Sequence, residues 1–206
     1  VRLLVATRSP HKLAEIRRIL AHVPHLELVD PLQVGLPELP EEEGIEVFDT
    51  FEDNAAAKAR WFRERSGMPV LADDSGLAVD ALGGEPGVRS KRFAPEQRPG
   101  EGVDQANNRY LLERLGEVEG EARSARFVCV AVLDPGPGPD GAPLVIRGEA
   151  HGSILPEAVG EGGFGYDPLF LDPESGRAFA QLTEEEKDAR SHRGRAFREM
   201  ARRMQS

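Results

Sequence analysis

Cysteine is almost absent: Cys129 is the only one in 206 residues. That excludes an internal disulfide framework and a zinc site built from cysteines. The expected compartment is a reducing one, the cytoplasm. Cys129 itself lies in an alternating run and reads as a small buried residue. Long apolar runs are missing too. None approaches the roughly 18 residues that span a bilayer, so an integral helical membrane protein is excluded and no membrane partner is expected. The first residues, VRLLVAT, hold neither an apolar signal core nor a small-residue cleavage site, so export by that route is not expected. Positive charge is in deficit, with a net charge of −10. Such a chain lacks the basic footprint of a non-specific nucleic-acid binder, though a cleft that focuses cations still accepts anionic ligands. Lysine is the scarce cation: Lys12, Lys58, Lys91 and Lys187 stand against 22 arginines. In a chain so biased, each retained lysine marks a candidate place for a compact ammonium.

What is present reads as an α/β chain, taken as one domain over residues 1–206. Residues 2–6 are a short apolar run, hence a buried strand. Residues 10–22 repeat Leu13, Ile16, Leu20 and Val23 at helical spacing, with Ser9 as cap and Pro10 in the first turn. Strands are expected at 26–29 and 69–72, the latter stopped by Asp73, Asp74, Ser75 and Gly76. Helices are expected at 51–65, 104–116 and 192–204, the last capped by Ser191. Residues 126–134 and 143–152 are long strands, read as a hairpin, and 168–171 is short and extended. The Pro/Gly cluster 134–143 reads as a loop. Alternation early and a strand pair late predict a mixed sheet.

Five segments are candidates for chemistry. The loop TRSPHK (7–12) enters a helix after a buried strand, so backbone N–H groups, the helix dipole and Lys12 make an anion site suited to phosphates. It lacks the glycines of a Walker or dinucleotide-binding loop; the alternative is an ordinary capped helix. In ADDSG (72–76), adjacent carboxylates repel and a divalent cation relieves the repulsion, or one carboxylate serves as a general base on water; the alternative is an Asp-Ser-Gly turn. EEEG (41–44) offers another hard oxygen ligand or a solvated loop. Asn54 and Lys58 share a helix face that looks into a cleft or into water. In GGFGYDP (162–168), glycines allow close approach and Phe164 or Tyr166 can stack on a planar ring. Last, EEK (185–187) precedes SHRG (191–194), which puts His192 and Arg193 in a helix's first turn, a poor place for cations unless a carbonyl or anion faces them. No second histidine stands at ligand spacing from His192.

Taken in order, T-x-x-x-x-K, FEDNAxxKA (51–59), LADDSGLxVDALGGxPGV (71–88), GGFGYDP and EEKxxxSHRG (185–194) resemble the Ham1 family of inosine/xanthosine triphosphate pyrophosphatases, from residue 3 to about residue 200. The resemblance implies an elongated ITPase-like α/β fold: a central mixed, twisted sheet with flanking helices, and two lobes with a cleft between them. It also implies a homodimer and a Mg²⁺-dependent cut between the α and β phosphates of a non-canonical purine nucleoside triphosphate (ITP, dITP or XTP). Carried over, Thr7, Arg8, Ser9, Pro10, His11 and Lys12 hold phosphates, and Asn54 and Lys58 face substrate. Asp74 is the proton acceptor and Ser75 lies beside the substrate. Glu42 and Asp74, helped by Asp73, bind the metal. Phe164, Gly165, Tyr166 and Asp167 line the base and sugar pocket, and Lys187, His192 and Arg193 read the base. The chain departs from the family pattern at Ser9, where asparagine is usual, and at Asp188, likewise. Arg89 and Phe93 replace common tyrosines. Extra residues between Gly44 and Thr50 leave Glu41, Glu42 and Glu43 in competition. The alternative enzyme reading is a pyrophosphatase of the related Maf type, and the SHRG and FGYDP motifs argue against it.

Overall fold

The computed structural model describes residues 1–136 and 141–205. Residues 137–140, inside the expected 134–143 loop, lie outside the described residues.

Strand β1 (Arg2–Val5) leads into helix α1 (Pro10–Leu20), where the Ser9 hydroxyl accepts from the Lys12 N–H and Pro10 opens the first turn. That is the capping chemistry expected of Ser-Pro. Strand β2 (Glu27–Val29) follows. Helix α2 (Phe51–Ser66) begins on Thr50, which accepts from the Asp53 N–H, and ends at Gly67 in the left-handed conformation. Strand β3 (Val70–Val79), helix α3 (Val103–Leu115), strands β4 (Ser124–Asp134) and β5 (Leu144–Ile154), and the short β6 (Phe170–Asp172) and β7 (Arg177–Ala178) come next. Helices α4 (Glu184–Arg190) and α5 (His192–Met204) close the chain.

Among the described residues the strands form one seven-stranded sheet in the order β2-β1-β3-β4-β5-β6-β7. The β1 strand pairs parallel with both β2 and β3, while β6 pairs antiparallel with β5 and β7. The mixed sheet expected from the order of elements is therefore present.

One expectation fails at the place that matters most. Residues 73–76 were read as the stop of a strand, but β3 runs straight through them. Asp-Ser-Gly favours turns because its side chains compete for backbone bonds. Here both aspartates are buried, at 1% and 5% exposure, and answer to side chains from other elements instead. The helix α4 was not foreseen either. Its signal was in the sequence as Thr183-x-x-Glu186, a reciprocal capping box. Ser191, expected as the cap of the last helix, stands directly before α5 and also closes α4, with its N–H on the Lys187 carbonyl at 2.8 Å.

The chain divides into two compact units, and β3, β4 and β5 contribute to both. The first comprises Val1–Asp74, Cys129–Gly148 and His192–Ser206. Its core joins Ile16, Ile19 and Leu20 of α1 to Ala196, Phe197, Met200 and Ala201 of α5 over Val5, Leu71, Cys129 and Ala131. The second comprises Ser75–Val128 and Glu149–Ser191. Its core sets Leu111 and Leu115 of α3 with Leu77, Val79, Phe127, Phe170 and Phe179. The ring centroids of Phe127 and Phe170 are 4.6 Å apart, and those of Phe170 and Phe179 4.8 Å. Burying each such ring contributes roughly 1.5–3 kcal/mol.

In the first unit α5 lies so close to β5 that only glycine fits at position 148. A Cβ there would stand 2.3 Å from the His192 carbonyl oxygen and 2.6 Å from the Ala196 nitrogen. Gly148→Ala is expected to destabilise the protein by about 1–3 kcal/mol, the usual cost of overpacking. Urea unfolding checks this, and an unshifted midpoint would show that the helix yields freely.

Candidate active site

Because successive side chains of a strand point to opposite faces, Asp73 and Asp74 do not form the shared carboxylate pair expected from their adjacency. Each has its own neighbours in the first unit.

Asp73 faces α1 and α5. Its Oδ2 accepts from Lys12 Nζ at 2.9 Å and from Arg193 Nη2 at 3.4 Å, with Cys129 Sγ at 3.9 Å. Arg193 also donates to Glu15 of α1. The result is a buried chain of alternating charge, Lys12–Asp73–Arg193–Glu15. Burial alone would lower the Arg193 pKa; Asp73 and then Glu15 more than reverse it, so the guanidinium stays charged. Arg193 was expected to read the base. It is 1% exposed and held by two carboxylates. Glu15 was missed, although a glutamate beside Ile16 and Ile19 on the core-facing side of a helix is itself a signal.

Asp74 faces α2. Asn54 Nδ2 donates to Asp74 Oδ2 at 3.1 Å and to the Phe48 carbonyl at 3.1 Å, while Asn54 Oδ1 accepts from the Phe48 N–H at 2.9 Å. Asn54 was expected to face substrate. It is 1% exposed and spends its amide tying the 46–49 segment to the catalytic candidate. Lys58, buried one turn further along α2, is paired with Glu46. Burial lowers the Lys58 pKa, but Glu46, Asp73 and Asp74 together hold it above its ordinary value. Burial pushes Asp74 above the usual carboxylate range; Lys58 and Lys12 pull it down, and Glu46 and Asp73 add to the rise. A carboxylate so placed is a better base than an exposed one.

The loop before α1 is stapled by its own side chains: Thr7 Oγ1 accepts from the Ser9 N–H at 3.1 Å, and Ser9 Oγ from the Lys12 N–H at 3.3 Å. Pro10 and His11 are exposed at the helix start. Arg8, expected on phosphate, is turned elsewhere. It makes a two-pronged bond to Glu42 at 2.6 and 2.9 Å and donates to the carbonyls of Leu36 and Pro37 at 2.9 and 2.8 Å. Both oxygens of Glu42, the expected metal ligand, are thereby engaged. The glutamate whose charge acts on Asp74 is Glu46. The run at 41–43 drew attention from it, and nothing in the spacing marks a lone glutamate eight residues before Asn54.

Among the described residues no three histidine, cysteine, aspartate or glutamate side chains gather as a ready-made metal centre. Magnesium does not need one; it is commonly held by one or two carboxylates with phosphate oxygens and water completing its shell. Glu46 and Asp74, hard oxygen donors flanking the same ammonium, fit that requirement. Glu42 does not.

The second unit holds the other expected residues. Asp167 Oδ2 accepts from Lys187 Nζ at 2.6 Å and from the Phe164 N–H at 2.8 Å. Lys187 Nζ lies 4.6 Å from the Phe164 ring centroid, a cation–π contact. Phe164 is half-buried, as is Ser75. Tyr166, one of two rings expected to stack on a base, is 4% exposed in the core, and its hydroxyl donates to the Ser90 carbonyl at 2.8 Å. Of the two rings, Phe164 is the more exposed. His192 is 5% exposed at the start of α5 in the first unit.

The first unit thus sets a buried, cation-flanked carboxylate on a strand of an α/β fold, beside a capped helix start. Over residues 3–203 the chain matches the Ham1 family, and it belongs to that family. A relative in Frankia alni named dITP/XTP pyrophosphatase is 48% identical over 204 residues, covering 98% of this chain and 96% of that one. One of the same name in Thermus thermophilus is 45% identical, covering 96% and 89%. The solved structure of a HAM1 protein from Coxiella burnetii superposes with a TM-score of 0.84 at 35% identity, covering 100% of this chain and 98% of that one. That of a nucleoside-triphosphatase / dITP/XTP pyrophosphatase from Mycobacterium abscessus gives 0.72 at 43% identity, covering 97% and 98%.

Proposed function

We propose that the protein hydrolyses ITP, dITP and XTP to the nucleoside monophosphate and pyrophosphate, in the cytoplasm and as a homodimer. The observation that carries this reading is Asp74: a buried carboxylate with a raised pKa, oriented by Asn54 and answered by Lys58 and Lys12. The names of the relatives supply the substrate class.

Asp74 takes the proton of a water molecule as its oxygen bonds to phosphorus at the bridge between the α and β phosphates. The bridging P–O bond breaks and pyrophosphate departs with the electron pair. Lys12, Lys58 and the N–H groups at the start of α1 offset the charge of the polyphosphate. Mg²⁺, held by Glu46 and Asp74, would supply further charge neutralisation at the phosphate oxygens. Phe164 offers the base a face, with Lys187 set by Asp167. His192 offers a donor to the six-position carbonyl of inosine and xanthosine, where adenosine carries an amino group. Sites built on buried hydrogen bonds reject a mismatched group by roughly 10⁴-fold.

A steady-state panel of ITP, XTP, dGTP, dTTP and UTP, with Mg²⁺ or with EDTA, tests the reading. ITP and XTP are expected to lead in kcat/KM and to lose turnover in EDTA. Equal turnover of the pyrimidine nucleotides would overturn it. The metal assignment has its own readout. By calorimetric titration with Mg²⁺, Glu46→Gln is expected to weaken binding by about tenfold or more, since even residues behind a metal ligand cost that much. Glu42→Gln should leave it within about twofold on the same scale. The reverse order would return the role to Glu42.

A further inference from the structure

The loop 162–168 carries the ring that the proposed function sets against the base, and its shape is held from α3. Gly165 sits in the left-handed region with φ +60°. Its N–H donates to Asp104 Oδ2 at 2.8 Å, and its carbonyl accepts from Asn108 Nδ2 at 3.0 Å. Asp104 and Asn108 are four residues apart, so they share one face of α3. They grip the two peptide groups on either side of the one residue in the loop's tip that has no Cβ to restrict it.

The neighbouring bonds leave this grip a distinct task. Tyr166 is anchored in the core through its hydroxyl on Ser90. Asp167 fixes the Phe164 N–H and Lys187 with the same oxygen. A Cβ at Gly163 would lie 2.1 Å from that oxygen, so the turn closes tightly on Asp167. Within the loop the Phe164 carbonyl accepts from the Asp167 N–H at 3.2 Å. Asp104 holds the N–H of that same peptide and Asn108 the next carbonyl, which together select one φ at a residue that adopts positive and negative φ with similar ease. A rotation there strains the peptide that Phe164 shares with Gly165, and with it the setting of the ring beside Lys187. Asp104 stands in the first turn of α3, where the helix dipole favours a carboxylate. It is therefore available as an acceptor at little cost.

We propose that Asp104 and Asn108 are positioning residues for base recognition: they set the conformation of Gly165 and, through it, the placement of Phe164 and Lys187. The inference rests on the assignment of Phe164 and Lys187 to the base. It predicts that losing the grip weakens what the protein does with the nucleobase and leaves the handling of phosphate alone.

The test uses the 206-residue chain and three variants: Asp104→Ala, Asn108→Ala and Asp104→Asn, the last keeping an acceptor oxygen. Two readouts are taken. Amide hydrogen exchange at Gly165 should quicken about tenfold or more in Asp104→Ala and Asn108→Ala, as expected when a local bond is lost. It should stay near the parent rate in Asp104→Asn. Calorimetric binding of inosine monophosphate should weaken about tenfold in the two alanine variants, the scale of one lost hydrogen bond. Binding of inorganic pyrophosphate should hold within about twofold on that scale. Unchanged exchange overturns the grip. Faster exchange with unchanged monophosphate affinity overturns its role in recognition, and so does a parallel fall in both affinities, which marks a general loss of structure. If the parent protein itself binds no inosine monophosphate, the base assignment fails, while the exchange data still decide the grip.

Discussion

Asp74→Asn is expected to lower turnover of ITP by about 10³-fold, the scale of losing a general base together with the charge it contributes. The substitution is close to isosteric and keeps an oxygen to accept from Asn54, so the strand and the 46–49 segment should stay in place. What disappears is the site that takes the proton, along with one hard ligand for a cation. Steady-state kinetics and a thermal melt separate the two possibilities: turnover should collapse while the melting midpoint holds or rises. It can rise because Asp74 sits with a pKa above its ordinary value. Such a carboxylate opposes folding at neutral pH, and an amide in its place removes the penalty. Near-normal turnover would remove Asp74 from the chemistry.

Arg193→Met is expected to act on stability. Arg193 is 1% exposed and lies between Glu15 and Asp73. Removing one partner of a buried charge network takes a cation from both carboxylates, at a cost of about 3–5 kcal/mol. For a chain of this size that is a fall in melting midpoint of roughly 10 °C. Asp73 keeps Lys12, and Glu15 loses its bond to Arg193. The double variant Glu15→Leu with Arg193→Met should therefore recover most of the loss, because replacing both partners by apolar side chains is far milder than breaking the pair. A single variant that melts within about 2 °C of the parent would show that the network is worth little.

Much of the framework was legible because it is written locally. Ser9-Pro10 before an apolar repeat marks α1, and Phe51, Ala55, Ala59 and Phe62 recur along one side of α2. The alternating run around Cys129 marks β4. What could not be read is carried by residues distant in sequence. Asp73 and Asp74 looked like a turn because their partners, Lys12, Arg193 and Asn54, lie 61, 120 and 20 positions away. Only the folded chain brings enough cations to let two aspartates sit inside a strand. Arg8 and Glu42, 34 positions apart, each resembled a ligand group until they were seen to satisfy one another. Tyr166 and Phe164 were equal candidates by composition, and the hydroxyl's partner on Ser90 separates them. Asp167 and Lys187, 20 positions apart, meet beside Phe164 in the folded chain. Glu46 and the α3 grip on Gly165 carried no motif at all.

Phosphorus NMR of the products formed from ITP tests the central claim most directly. Equal amounts of inosine monophosphate and pyrophosphate are predicted, formed by the parent protein and lost in Asp74→Asn. Inosine diphosphate with orthophosphate, or pyrophosphate formed at the parent rate by the variant, would contradict it.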